Sequence, residues 1–207
     1  MNTYTKITKK LLHETNHKTA IQIEQRINSF YKLNKKNDSY WFSELCFCIL
    51  TANSKAETAI KIQTQVKNEG FSEKTQTELS NIIKKHGHRF HNIKANYIVA
   101  ARKFYKIKSM LQNLPSKTAR EVLVKNIKGI GYKEASHFLR NVGYQDVAII
   151  DRHILRFMFQ EKLINQIPKT ITPKKYLEFE NILSKFGIPL NKLDLIIWAK
   201  MTGIVLK

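Results

Sequence analysis

IKGIGYKEASHFLRNVGYQDVAIIDRHIL, residues 127–155, is the stretch whose reading decides the fold. It reads as a helix end, a tight turn holding Gly129 and Gly131, a second helix, a stop at Gly143, a short apolar run, and Asp151 opening a further helix. Glycine has no Cβ, so the backbone here can turn tightly and present successive N–H groups at the start of the helix that begins near Tyr132. Such a nest binds an anion. Lys133 falls in the first turn of that helix, where the positive end of the dipole disfavours an ammonium. Asp151 takes the place of an N-cap, with Arg152 and His153 behind it. A plain helix-loop-helix with a capping aspartate and a surface lysine explains the glycines taken alone. The whole pattern is more specific.

Working outward, the chain of 207 residues has a net charge of +20, which implies a polyanionic partner. Nucleic acid, a membrane surface and an acidic protein all satisfy that charge. No apolar run approaches the roughly 18 residues of a membrane helix, and MNTYTKITKKLL lacks the apolar core of a secretory signal, so a cytosolic protein is expected. Cys46 and Cys48 are the only cysteines; at i, i+2 in an apolar helix they predict buried thiols, neither a disulfide framework nor a metal site.

The periodicity is helical almost throughout, which predicts an all-α chain. Ile23, Ile27, Phe30 and Tyr31 share one face, and KLNKKNDSY (32–40) reads as a linker. Trp41, Phe42, Leu45, Cys46, Cys48 and Ile49 mark the most apolar helix, expected at the centre and ending near Asn53. Residues 55–68 predict a helix stopped by Gly70, and Leu79, Ile82 and Ile83 a short one ending at Gly87. Ile93, Tyr97 and Phe104 mark the next, Ser116 a capped helix entering the hairpin, Thr172-Pro173 a helix start, and Asn191 the cap of the last helix.

GIGYKEA followed by AIIDRH resembles the helix-hairpin-helix, Gly/Pro-rich loop and aspartate of the DNA glycosylase superfamily that includes endonuclease III. The likeness is closer to the small type-2 8-oxoguanine DNA glycosylases: ELCFCILTAN at 44–53, GHRF at 87–90, LDLIIW at 193–198 and TGIVLK at 202–207 extend it over most of the chain. Lys128 departs from the proline that many relatives carry before the first hairpin glycine, leaving that turn less rigid. The resemblance implies two helical subdomains, a bundle over 37–147 and a second unit from 1–36 plus 148–207, with the active site in the cleft between them. It also implies that the position of Lys133 is that of the nucleophile and that Asp151 is the family aspartate. Because the four-cysteine loop of endonuclease III relatives is missing, no iron–sulfur cluster is expected, and no metal or other cofactor is required.

Gly129 and Gly131 would then seat a DNA phosphate, a contact that positions the duplex without reading its sequence. An enzyme acting on a base inside a duplex has to extrude it, and something must fill the gap. Asn53 occupies the place of the superfamily's gap-filling residue, although a helix C-cap is an equal reading. Arg89 and Phe90 offer a cation and an aromatic wedge for the unpaired opposite base, where Phe90 is equally a core candidate. His86, His88 and His91 are not read as metal ligands, since no carboxylate or cysteine accompanies them. The resemblance assigns recognition of the damaged base to the end of the chain. There the carboxylate and ammonium of Lys207 would read acceptor and donor edges while Trp198 supplies an apolar face.

The expected function is therefore a bifunctional DNA repair enzyme acting on double-stranded DNA with oxidised guanine, as a monomer. Lys133 would attack as a neutral amine, and Asp151 would stabilise positive charge at C1′. Two alternatives stand beside it. An endonuclease III-like enzyme for oxidised pyrimidines is disfavoured by the missing cysteine loop and the C-terminal match. A non-catalytic helix-hairpin-helix module keeps the glycines but gives Lys133 and Asp151 no reason to occur together.

Overall fold

The computed structural model describes residues 2–207. The described residues form α1 (Thr3–Glu14), α2 (His17–Asn34), α3 (Asp38–Thr51), α4 (Ala56–Glu73), α5 (Gln76–Lys85), α6 (His91–Ala101), α7 (Ile107–Leu111), α8 (Ser116–Asn126), α9 (Tyr132–Asn141), α10 (Arg152–Gln160), α11 (Pro173–Ser184) and α12 (Leu190–Thr202), with one 3-10 turn at Arg102–Phe104. No strand occurs among them.

Helix α3 is apolar on every side, and a helix of that kind has to be enclosed. Every residue from Trp41 to Thr51 is buried. Around it pack Phe71 and Val66 of α4, Leu79 and Ile83 of α5, Ile98 of α6, Leu123 of α8 and Phe138 of α9, forming one continuous core. A second core joins Ile7 and Leu11 of α1 and Ile23, Ile27 and Phe30 of α2 to Leu155 and Phe157 of α10, Tyr176 and Leu183 of α11, and Leu193 and Ile197 of α12.

Two buried ion pairs link helices of the first core to helices of the second. Arg120 of α8 meets Glu180 of α11 in a fork, Nη1 to Oε1 at 2.7 Å and Nη2 to Oε2 at 2.8 Å. Arg140 of α9 donates to Asp194 of α12 at 3.1 Å. Removing one member of such a pair strands a buried charge, at a cost of about 3–5 kcal/mol.

Several local expectations are corrected by packing. The linker is short, because α2 continues to Asn34 and α3 starts at Asp38. The first part of α4 ends at Lys67, beside the expected end at 68, but Gly70 is not the stop: it lies in the helical piece that follows, where a Cβ would stand 3.1 Å from Val66. Ser116 is the first helical residue and not the cap; its hydroxyl donates to Asp146 Oδ2 at 2.6 Å. Asn191 likewise lies inside α12, which Pro189 precedes, and its N–H goes to the carbonyl of Gln145 at 3.1 Å. On α6 the buried face is Lys94, Ala95 and Ile98, while Ile93 is half exposed. The Lys94 ammonium, donated to the Ile49 carbonyl at 2.7 Å, caps the end of α3 and makes a charged side chain part of the interior.

Candidate active site

The hairpin joins α8 to α9, and its two glycines do different work. Gly129 has φ +84°, and a Cβ there would stand 2.4 Å from the ring of Tyr97, so no side chain fits. Gly131 is extended, φ −99° and ψ −172°, a conformation open to any residue. Its N–H donates to Glu134 Oε2 at 3.3 Å, and that carboxylate is also what a Cβ on Gly131 would meet. Glu134 turns its other oxygen to Lys133 Nζ at 3.1 Å. One carboxylate thus bridges a hairpin N–H and the lysine.

Beyond α9 the chain runs outside any helix from Val147 to Ile150. Three consecutive N–H groups of this segment are taken by side chains: Ala148 by Glu180 Oε1 at 3.1 Å, Ile149 by Asp194 Oδ2 at 3.0 Å, Ile150 by the Tyr176 hydroxyl at 3.1 Å. The Tyr176 hydroxyl donates in turn to the Ala148 carbonyl at 2.7 Å. A largely buried segment outside helix and sheet must find partners in this way. Asp151 follows at once and caps α10, where Oδ1 accepts from His153 and Ile154 at 2.8 and 2.9 Å. Burial pushes the Asp194 carboxyl up to about 6, against the pull of Arg140 and the Ile149 N–H.

Lys133, Asp151, Trp198 and Lys207 all line one cavity of about 440 Å³. Lys133 is partly exposed at its mouth, and His137, a helical turn further along α9, lies on the same wall. Burial, reinforced by Arg140, Lys133 and Lys207, pushes the His137 imidazole well below its ordinary range, so the ring is neutral. Its Nε2 is buried without a hydrogen-bond partner among the described residues. Trp198 belongs to neither core and packs edge-on against His153, ring centroids 6.1 Å apart. After Gly203, φ +79°, the chain turns back so that Ile204, Leu206 and Lys207 reach the cavity wall. The Lys207 ammonium turns inward, to Glu44 Oε2 at 2.9 Å and to Gln63 Oε1. Two of its three N–H donors are taken in this way.

Asn53, Arg89 and Phe90 lie outside this cavity, Asn53 just after α3 and the other two in the loop that follows α5. Asn53 is exposed at φ +62°, the left-handed turn that ends a helix, and its neighbours Thr51 and Ser54 line the cavity. His88 docks the GHRF loop onto α3: Nδ1 accepts the Phe90 N–H at 3.2 Å, so the protonated Nε2 donates to the Leu50 carbonyl at 3.0 Å. Phe90 packs into neither core, and the Arg89 guanidinium lies 4.5 Å from its ring centroid. His86 pairs with Gln65 and His91 with Ser80, so the three histidines diverge. No group of three or more metal-ligating side chains occurs among the described residues.

Residues 23–192 match the sequence model of the family described as 8-oxoguanine DNA glycosylase. The chain belongs to that family. It is 51% identical over 204 residues to the 8-oxoguanine DNA glycosylase/AP lyase of Methanocaldococcus jannaschii, covering 96% of this chain and 98% of the relative. The crystal structure of the Methanocaldococcus jannaschii glycosylase/lyase in complex with 15mer DNA containing 8-oxoguanine superimposes with a TM-score of 0.92, at 50% identity over 97% of this chain and 99% of that one. The 8-oxoguanine DNA glycosylase of Thermotoga maritima gives 0.89 at 39% identity, covering 99% and 100%.

Within this 8-oxoguanine DNA glycosylase fold, sequence reading overlooked the buried polar residues that hold the site in place: Glu44, Arg140, Asn141, Glu180, Asp194 and Tyr176. A signal was present for two of them. Glu44 and Asp194 are the single charges in the otherwise apolar runs ELCFCIL and LDLIIW, and a charge enclosed that way must be paired.

Proposed function

We propose that this protein is a DNA repair enzyme that extrudes and excises 8-oxoguanine from duplex DNA and then nicks the abasic strand. The observation that carries the reading is the convergence of Lys133, Asp151, Trp198 and Lys207 on one cavity. Lys133 Nζ, as a neutral amine, forms a bond to C1′ while the C1′–N9 bond breaks; its electron pair leaves with the base, which takes up a proton. Asp151 stabilises the positive charge that develops at C1′. Its Oδ1 is engaged by α10, while Oδ2 accepts no hydrogen bond among the described residues. Ring opening gives a Schiff base on Lys133. Loss of the C2′ proton then expels the 3′-phosphate by β-elimination.

Trp198 offers its half-buried face to the extruded base, and the main chain of Lys207 its edge contacts. The hairpin at Gly129 and Gly131 seats a phosphate; that the Gly131 N–H takes a carboxylate oxygen supports its role as an anion donor. Asn53, Arg89 and Phe90 fill the gap and grip the opposite strand, a reading supported by the exposure of Asn53 and Arg89, by Phe90 lying in neither core, and by the His88 bond that docks the loop onto α3. The two cores support a division into 37–147 and 1–36 plus 148–207. The reading includes a monomer without an iron–sulfur cluster, supported by four site residues from one chain and by cysteines that are both buried. Among the described residues no helix is long and apolar enough to cross a membrane.

Incubation with labelled duplexes carrying 8-oxoguanine, oxidised pyrimidines or no damage tests the reading. Release of 8-oxoguanine with a strand nick is expected. Preference for the oxidised pyrimidines, or binding without cleavage, would replace it by one of the alternatives.

A further inference from the structure

Glu44 is buried in α3 and does not line the cavity, yet it carries a charge in the most apolar helix of the protein. Three side chains meet its carboxylate. Oε2 accepts from Lys207 Nζ at 2.9 Å and from Gln63 Nε2 at 3.3 Å, and Oε1 accepts from Asn141 Nδ2 at 2.6 Å. Asn141 is itself fixed, since Arg140 Nε and Nη2 donate to its Oδ1 at 3.1 and 3.0 Å. On the other side, the Lys207 ammonium also donates to Gln63 Oε1 and lies 4.0 Å from the ring centroid of Phe47. Helices α3 and α4 therefore close around one ammonium, with α9 bracing the carboxylate.

A buried ion pair is a poor device for stability, because apolar residues of similar volume serve as well or better. What the pair supplies here is position. With Nζ fixed, the main chain of Lys207 can lie only within reach of its own four-carbon stem, which puts it at the cavity wall.

We infer that Glu44 is a positioning residue for base recognition: with Gln63 and Phe47 it forms a socket for the Lys207 ammonium and so sets where the main chain of Lys207 meets the extruded base. The inference rests on the reading of Lys207 as a base contact. Glu44 touches neither substrate nor reacting atoms and acts through Lys207 alone.

The test compares wild type, Glu44→Gln, Lys207→Met and the double variant Glu44→Met/Lys207→Met in single-turnover assays on two duplexes, one with 8-oxoguanine and one with a preformed abasic site. Thermal melting is followed for each protein. Misplacing a recognition group by an ångström or so lowers excision about a hundredfold, and each single variant is expected to show that loss. Cleavage at the abasic site, which bypasses the base, stays near the wild-type rate. The double variant regains the wild-type melting temperature without regaining excision, and its loss matches the single variants rather than their product, since both act through one contact.

Full excision by Glu44→Gln while Lys207→Met is impaired would overturn the socket and leave Lys207 as a base contact. Full excision by Lys207→Met would remove the base-contact reading and the socket together. Equal losses on the two duplexes would reduce Glu44 to a structural role. Should Glu44→Gln not fold, the double variant decides: folded and fully active on 8-oxoguanine, it overturns the inference.

Discussion

Oδ1 of Asp151 accepts the backbone N–H of His153 at 2.8 Å, and the same oxygen also takes the N–H of Ile154. An asparagine oxygen can keep both bonds. Asp151→Asn should therefore lose at most about 1 kcal/mol of stability, the charge–dipole part of the cap, while base removal slows by orders of magnitude at nearly unchanged DNA affinity. Single-turnover excision beside a binding titration checks this. Normal turnover would leave Asp151 a purely structural residue.

The hairpin glycines should separate in mutation. At Gly129 a valine meets both a positive φ and the Tyr97 ring, so Gly129→Val is expected to destabilise the fold. At Gly131 the backbone is extended and a Cβ approaches only the Glu134 carboxylate, so Gly131→Val should fold. It should nonetheless weaken binding to damaged and undamaged duplexes alike, because phosphate contacts carry no sequence information. A loss confined to damaged DNA in a binding assay would contradict the phosphate seat.

Acid should unfold the protein through two windows. The first belongs to His137, held neutral by burial. The unfolded chain takes up a proton at this residue from about pH 6.5 downward and the folded one does not, so stability is full above that pH and falls below it. The second belongs to Glu44. Burial alone would raise its carboxyl, but Lys207, Asn141 and Gln63 outweigh burial and hold it below the ordinary value. Its contribution is present above about pH 4.3 and is lost as pH falls through the folded value. Lys207→Met leaves the burial and removes the cation, so the second window should flatten or reverse sign. Melting temperatures across pH 3–8 for both proteins decide the matter, and parallel curves would count against the pairing.

What the sequence disclosed was local. The hairpin, the cap at Asp151 and the all-round apolar α3 each depend on residues near one another in the chain, and each stands where it was expected. The partners that hold residues 148–150 could not be read in this way: Glu180, Asp194 and Tyr176 come from helices far along the chain, and nothing in their own neighbourhoods points back to that segment. The spacing of Gly131 from Gly129 points to a second conformational glycine, and only the backbone angles separate the two. The starts of α8 and α12 differ from expectation for a related reason. Ser116 and Asn191 are strong local signals, and their contacts with Asp146 and Gln145 overrode them.

The central claim is that Lys133 forms a covalent bond to the sugar, and borohydride reduction on duplex DNA with 8-oxoguanine tests it most directly. The wild-type protein should be trapped as a stable protein–DNA adduct. Lys133→Gln should yield no adduct and no strand nick while still binding the duplex. Undiminished trapping by Lys133→Gln would place the nucleophile elsewhere and contradict the account.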